Sequence, residues 1–372
     1  MRGRTHLKSI VIPAFLAFTA LSVAMSNRAS GVTYQAIDLT PSGFSDSEAY
    51  GINGTQQVGN GYGSDNRFHA LLWSGSADSY VDLTPSGWYG SQAYGISGTQ
   101  QVGWGYGLVT GKNNHALLWN GTADSFIDLH PSGFRDSVAQ GISGTQQVGV
   151  GYGSGNMHAL LWSGTAASCV DLNPSGLNHS YASGTNGTQQ VGCGGTSPTT
   201  GVNDHALLWS GSAASCIDLN PSGFSESFAC GISGTQQVGY GYGSATGGND
   251  HALLWSGSAD SYVDLTPSGW YGSTAYDISG TQQVGWGYGP ATDGNEHALL
   301  WSGSADSFID LHQFLPVGFD ESRALGIDSF GNIVGYAQEN FHGPHAILWQ
   351  PIPEPATLFL LGLGAVMLRR KR

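Results

Sequence analysis

Histidine and aspartate are the residues best suited to proton transfer or metal ligation, and in this chain both recur at fixed spacing. Seven histidines open the string HA(L/I)LW: His69, His115, His158, His205, His251, His297 and His345. Seven aspartates open the pair DL: Asp38, Asp82, Asp128, Asp171, Asp218, Asp264 and Asp310. A His beside a carboxylate could serve as a base or a ligand. Yet every copy carries the same pair, and each His stands four residues before a Trp. Catalysis usually needs one unique constellation, not interchangeable modules. The expected role is a structural brace, with each imidazole donating to a backbone carbonyl or to the DL aspartate. No Cx2C or HExxH spacing points to zinc. The SADS turns (Asp78, Asp124, Asp260, Asp306) lack the alternating acids of a calcium loop. No catalytic residue, metal or cofactor is expected.

The elements that carry these residues follow from the repeat itself. GTQQVG begins at Gly54, Gly98, Gly144, Gly187, Gly234 and Gly280, with a worn copy, GNIVG, at Gly331 to Gly335. The spacing is about 46 residues, the range of a repeat architecture. One unit, Tyr80 to Trp119, divides into YVDL, AYGI, QQVGWGYG and HALLW, separated by TPSG, SGT and a variable polar loop. Pro and Gly supply the turns. Four short strands per unit match a propeller blade, and seven blades close a ring. The expected fold is therefore an all-β, seven-bladed β-propeller over residues 32–350. The chain opens on an unpaired TYQAIDL and stops after HAILW. Tyr34 to Leu39 should therefore supply the outer strand of the last blade.

Charge excludes one class of partner. Between the termini only Arg67, Lys112, Arg135 and Arg323 offset all but one of the 26 acids. Such a body repels phosphate backbones, so no nucleic-acid partner is expected.

Both ends read as addresses. Residues 1–30 hold a basic stretch, an apolar run from Ser9 to Ala24 and small residues at Ser22 and Ala24, the pattern of a cleaved signal peptide. Residues 351–372 place Pro353-Glu354-Pro355 before an apolar run, Ala356 to Leu368, and a basic end, Arg369, Arg370, Lys371 and Arg372. An apolar helix before a cationic cluster follows stop-transfer logic. This tail resembles the PEP-CTERM sorting signal of Gram-negative bacteria. The resemblance implies export, membrane attachment through the C-terminal helix, and cleavage by an exosortase, with Pro353, Glu354 and Pro355 as the recognition motif. It further implies a place at the cell surface, in the exopolysaccharide matrix or in the extracellular space. The HALLW, AYGI and QQVG strings resemble those of the HAF-repeat extracellular family, which implies export but no chemistry. WD-repeat propellers are similar in using Asp, His and Trp as braces.

Two further groups bear on function. Cys169, Cys193, Cys216 and Cys230 fall in adjacent units. Cys216 with Cys230 is the favoured disulfide pairing, Cys169 with Cys193 the second, and free buried thiols the alternative. Tyr62, Tyr106, Tyr152, Tyr242 and Tyr288 lie in GYG strings beside the variable loops and could stack on sugar faces. Packing between blades is the competing role. The sequence thus points to a structural or adhesive envelope protein. A lectin-like exopolysaccharide binder is the alternative, and a glycan-active enzyme stands behind both.

Overall fold

In the computed structural model, the described residues are 32–153, 155–197, 203–339 and 342–353. They form seven four-stranded antiparallel sheets in a ring, the expected propeller. The signal peptide and most of the tail, including Glu354, Pro355, Arg369, Arg370, Lys371 and Arg372, lie outside the described residues. Among the described residues no helix is long and apolar enough to cross a membrane.

The first blade shows the plan. Phe44–Asn53 is the inner strand, Gln56–Gly63 the second, Phe68–Trp73 the third and Val81–Asp82 the outer. Glycine at positive φ opens each GTQQVG hairpin, as at Gly98 (φ 58°). The second glycine of the string answers a different need. A Cβ on Gly103 would overlap the carbonyl oxygen of Gln92 on the neighbouring strand, so only hydrogen fits. The second Gln is buried, and its Oε1 accepts the N–H of the glycine that turns the third strand into the outer one. Gly121 N to Gln101 is 2.8 Å, and Gly211 N to Gln190 is 2.8 Å. GTQQVG thus encodes two turns at once.

Core lies between blades. Val58, Ala70, Leu72 and Leu83 of the first blade pack against Trp88, Ala93 and Ile96 of the second. The seven HA(L/I)LW tryptophans, Trp73 to Trp349, are fully buried. Losing one such side chain typically costs about 3–5 kcal/mol.

The ring closes by exchange. Thr33–Asp38 pairs antiparallel with His345–Ile352, from Thr33 opposite Ile352 to Asp38 opposite Ile347. Leu39, Ala49 and Trp73 then pack against Val334, Ala346 and Leu348, joining first and last blades in one cluster.

The disulfide expectation fails. All four cysteines are free thiols. Cys216 precedes the outer strand Ile217–Asp218, whereas Cys230 lies on the inner strand Phe224–Ser233 of the next blade. Consecutive segments here stand at opposite radial ends of their sheets. Three strand spacings are roughly 14 Å, against less than about 7 Å between Cα atoms for a disulfide.

Deleting residues 32–40 should abolish the single cooperative transition or lower the melting temperature by more than about 10 °C, measured by circular dichroism. An unchanged melting curve would show that closure does not depend on the exchanged strand.

Candidate functional site

Two sets of side chains must be separated before a site can be defined: those that hold blades together and those left over. The repeated His and Asp belong to the first, tying the third strand of each blade to its outer strand. In every blade the His Nδ1 lies 2.6–2.9 Å from the DL carboxylate, as in His69–Asp82, His115–Asp128, His158–Asp171 and His205–Asp218. His251–Asp264 and His297–Asp310 repeat it, and His345 reaches across the closure to Asp38 at 2.8 Å. The second carboxylate oxygen accepts the backbone N–H two residues on, as with Thr84 N to Asp82 Oδ1 at 2.8 Å. The Thr84 hydroxyl then meets Ser91 Oγ of the next blade at 2.8 Å.

That serine went unrecognised in the sequence, although Ser-x-Ala occurs in all seven units. Its Oγ is fully buried and accepts the N–H of the HA(L/I)LW alanine of the preceding blade. Ala70 to Ser91 is 3.1 Å, Ala116 to Ser137 is 2.9 Å, and Ala346 to Ser47 across the closure is 3.0 Å. Each bond contributes about 1 kcal/mol, and losing the acceptor leaves a buried donor unpaired at about 1–3 kcal/mol.

The leftover positions are those at which the copies differ. One lies between Ala and Gly on the inner strand: Tyr50, Tyr94, Gln140, Ser183, Cys230, Tyr276 and Leu325. All seven line one central cavity of about 680 Å³. Residues from two further divergent columns reach the same wall: Glu48, Tyr181, Phe228 and Arg323 from the inner strands, and Cys193, Tyr240 and Tyr336 from the second strands. Several of the strand columns at which the copies differ thus face the channel.

The wall is aromatic and hydroxyl-rich. Tyr50 and Tyr94 meet edge to face at 5.1 Å, and Phe228 stacks on Tyr240 at 4.9 Å. Tyr50 Oη donates to Glu48, Tyr94 Oη donates to Gln92 Oε1 at 2.7 Å, and Trp104 Nε1 donates to Tyr94 Oη at 3.1 Å. Arg323 lies over Trp286 at 4.7 Å and pairs with Glu296. Burial raises the Tyr50, Tyr181, Tyr240 and Tyr336 phenols well above their ordinary range, so they remain protonated donors. Burial also raises the Cys193 thiol and takes Cys230 up to about 12, which leaves little thiolate at neutral pH. Asp277, where other blades have glycine, is pushed up to about 6 by burial, against the pull of the Ile327 and Ile278 N–H groups. Such a wall can stack against apolar faces and hydrogen-bond hydroxyl groups. Among the described residues no cluster of three His, Cys, Asp or Glu is placed to hold a metal ion.

The GYG tyrosines sit elsewhere, near the ends of the second strands and toward the variable loops. All are half-buried. Tyr62 packs on Phe68 at 5.1 Å, Tyr106 on Tyr89 and Trp104 at 6.0 Å, and Tyr288 on Tyr271 and Trp286 at 6.0 Å. Tyr242 Oη donates to Glu226 at 3.3 Å, and burial raises the Tyr152 phenol.

The third strand of the closing blade ends at Ile352, where other blades turn into their outer strand. Pro353 follows at once, and residues 351–372 match the PEP-CTERM protein-sorting motif. The chain ends in a PEP-CTERM sorting signal. That signal implies exosortase processing and an extracellular or cell-surface destination. The sequence matches none of the curated proteins compared with it. Among solved structures, the chain is similar to the β-propeller domain of the Trilobed protease from Pyrococcus furiosus, described as having an open velcro topology. Identity is 9%, coverage is 82% of this chain and 94% of that one, and the TM-score is 0.54. It is also similar to a puromycin hydrolase S511A mutant (10% identity, 83% and 54% coverage, TM-score 0.56). An acylaminoacyl peptidase from Pyrococcus horikoshii gives 11% identity, 88% and 56% coverage and a TM-score of 0.52. The chain spans little more than half the length of these last two. At such identities the likeness is one of fold.

The braces set a pH window. Burial alone would lower the His69 pKa, but the Asp82 hydrogen bond and charge, with Asp65, raise it. The Asp218 hydrogen bond raises His205 against burial. Stability from these histidines is complete below about pH 6.5 and is lost as pH rises through their raised values. Burial would raise Asp218 and Asp264, but the partner histidines and backbone N–H groups bring both below the ordinary value. Their contribution is present above about pH 4 and lost on acidification. Asp277, raised from an ordinary value near 4 to about 6, loses its contribution between those two pH values and not on the limb above. Melting temperature should therefore be highest between about pH 4 and 6.5, with a smaller fall between about pH 4 and 6 in Asp277→Asn, measured by scanning calorimetry. A flat profile would contradict the braces.

Proposed function

We propose that this is an exported, non-enzymatic propeller, delivered by its PEP-CTERM tail to the envelope or matrix, where it acts as a structural or adhesive module. In this reading the tail anchors the chain transiently in the membrane until exosortase cleaves it, and the repeats belong with the HAF-repeat proteins. The observation that carries the proposal is the junction at Ile352. The motif's first residues, Pro351 and Ile352, end the last paired strand, at the face opposite the variable loops between second and third strands. A propeller tethered there presents its variable loops away from the membrane. Seven equivalent braces suit a rigid display scaffold.

A second reading is favoured by the channel. Divergence among the copies gathers at an aromatic, hydroxyl-bearing wall, which suits binding of a saccharide such as exopolysaccharide. Among the described residues of that wall no unique nucleophile–base pair stands out.

In a host with exosortase, the wild-type chain should appear outside the cell shortened by its tail, while Glu354→Ala should stay full-length in the membrane fraction. Mass spectrometry of both fractions checks this. Equal release of the variant, or an uncleaved extracellular wild type, would contradict the sorting role.

A further inference from the structure

The first blade carries a small amide where two of its siblings carry an indole. Where the second strand carries Trp104 and Trp286 in two other blades, it carries Asn60. In those blades the indole N–H reaches the inner-strand tyrosine, with Trp104 to Tyr94 at 3.1 Å and Trp286 to Tyr276 at 3.4 Å. The first blade keeps the tyrosine, Tyr50, without the indole. A second cavity of about 360 Å³ lies at this place, toward the small end of the range of about 300–1,000 Å³ for small-molecule sites.

Its walls differ from the main channel. Asp46, Glu48, Asn60, Tyr62, Phe68 and Gln92 line it. The Tyr62 and Phe68 rings meet edge to face at 5.1 Å. Phe68 is 42% exposed, an apolar face open to solvent. Asn60 is only 3% exposed. Among the described residues its Oδ1 is the one buried side-chain oxygen without a hydrogen-bond partner. Burying such a group unpaired is unfavourable, so it is an acceptor awaiting a donor.

We propose that this pocket binds a single neutral saccharide unit, stacked on Tyr62 and Phe68, with a ring hydroxyl donating to Asn60 Oδ1. The proposal rests on the saccharide-binding reading above and assigns it a place. Stacking rings select the C–H face of a pyranose. The amides of Asn60 and Gln92 and the carboxylates of Asp46 and Glu48 suit vicinal hydroxyls. The two carboxylates, with no cation among the described lining residues, disfavour uronic acids. Tyr62 is thereby separated from the other GYG tyrosines, whose blades carry Trp104, Val150, Tyr240 or Trp286 at the Asn60 position.

The test uses the exported protein and isothermal calorimetry with glucose, galactose, mannose, N-acetylglucosamine, oligomers of each, and glucuronate. Saturable binding of at least one neutral sugar and none of glucuronate is expected. Asn60→Trp copies the arrangement of two sibling blades, so it should fold with an unchanged or higher melting temperature and weaken binding at least tenfold. Tyr62→Ala should also weaken it at least tenfold. If Asn60→Trp binds like wild type, the pocket is overturned while a saccharide site elsewhere survives. If no sugar binds the folded wild type, the pocket and the saccharide reading fall together. Preference for glucuronate would overturn the assigned ligand class.

Discussion

Each blade must hand its fold to the next, and a buried hydrogen bond from an alanine N–H to a serine Oγ does so seven times. The alanine sits in the middle of a blade and the serine on the inner strand of its neighbour. Around this bond the His–Asp brace, the polar residue two positions after its Asp (Thr, Asn or His) and the fully buried Trp take fixed places. Those places explain why so much of the chain is copied almost letter for letter. A change in any one copy would leave a buried donor unpaired between two sheets.

The same constraint says where variation is allowed. Serine, alanine and the close-packed glycines cannot vary without breaking an interface, and the second Gln is kept in the six blades whose third strand turns into their own outer strand. The residues between them on the inner strand, and after VG on the second, are released from that duty. They gather at the channel and at the Asn60 pocket, so the propeller separates a uniform frame from an asymmetric interior. Repetition in the sequence therefore does not exclude a unique site. It confines one to a few columns of the alignment of the chain with itself.

Much of the frame was legible. Strand count, blade number and closure by Tyr34 to Leu39 follow from spacing and from two incomplete ends. The tail was legible because its three parts occur in order. The connecting serine was missed because a small polar residue gives no signal of burial until its partner is known. The Cys216–Cys230 pairing failed because neighbours in sequence here occupy opposite radial ends of a blade. The channel was not legible because periodicity marks what repeats, namely His, Asp and the GYG tyrosines, and the lining is what does not repeat. Asn60 shows this most sharply: its meaning lies in the Trp that two of its siblings carry.

Native-state hydrogen exchange at the seven alanine amides tests the central claim most directly. Ala70, Ala116, Ala159, Ala206, Ala252 and Ala298 each donate to a serine Oγ within the continuous chain, whereas Ala346 donates across the closure to Ser47. A ring held uniformly by this bond gives Ala346 the same protection as the other six, all exchanging through global unfolding. Exchange at Ala346 a hundredfold or more faster than at its equivalents would show that the ring opens at its seam, and the account of a closed, evenly braced frame would be wrong.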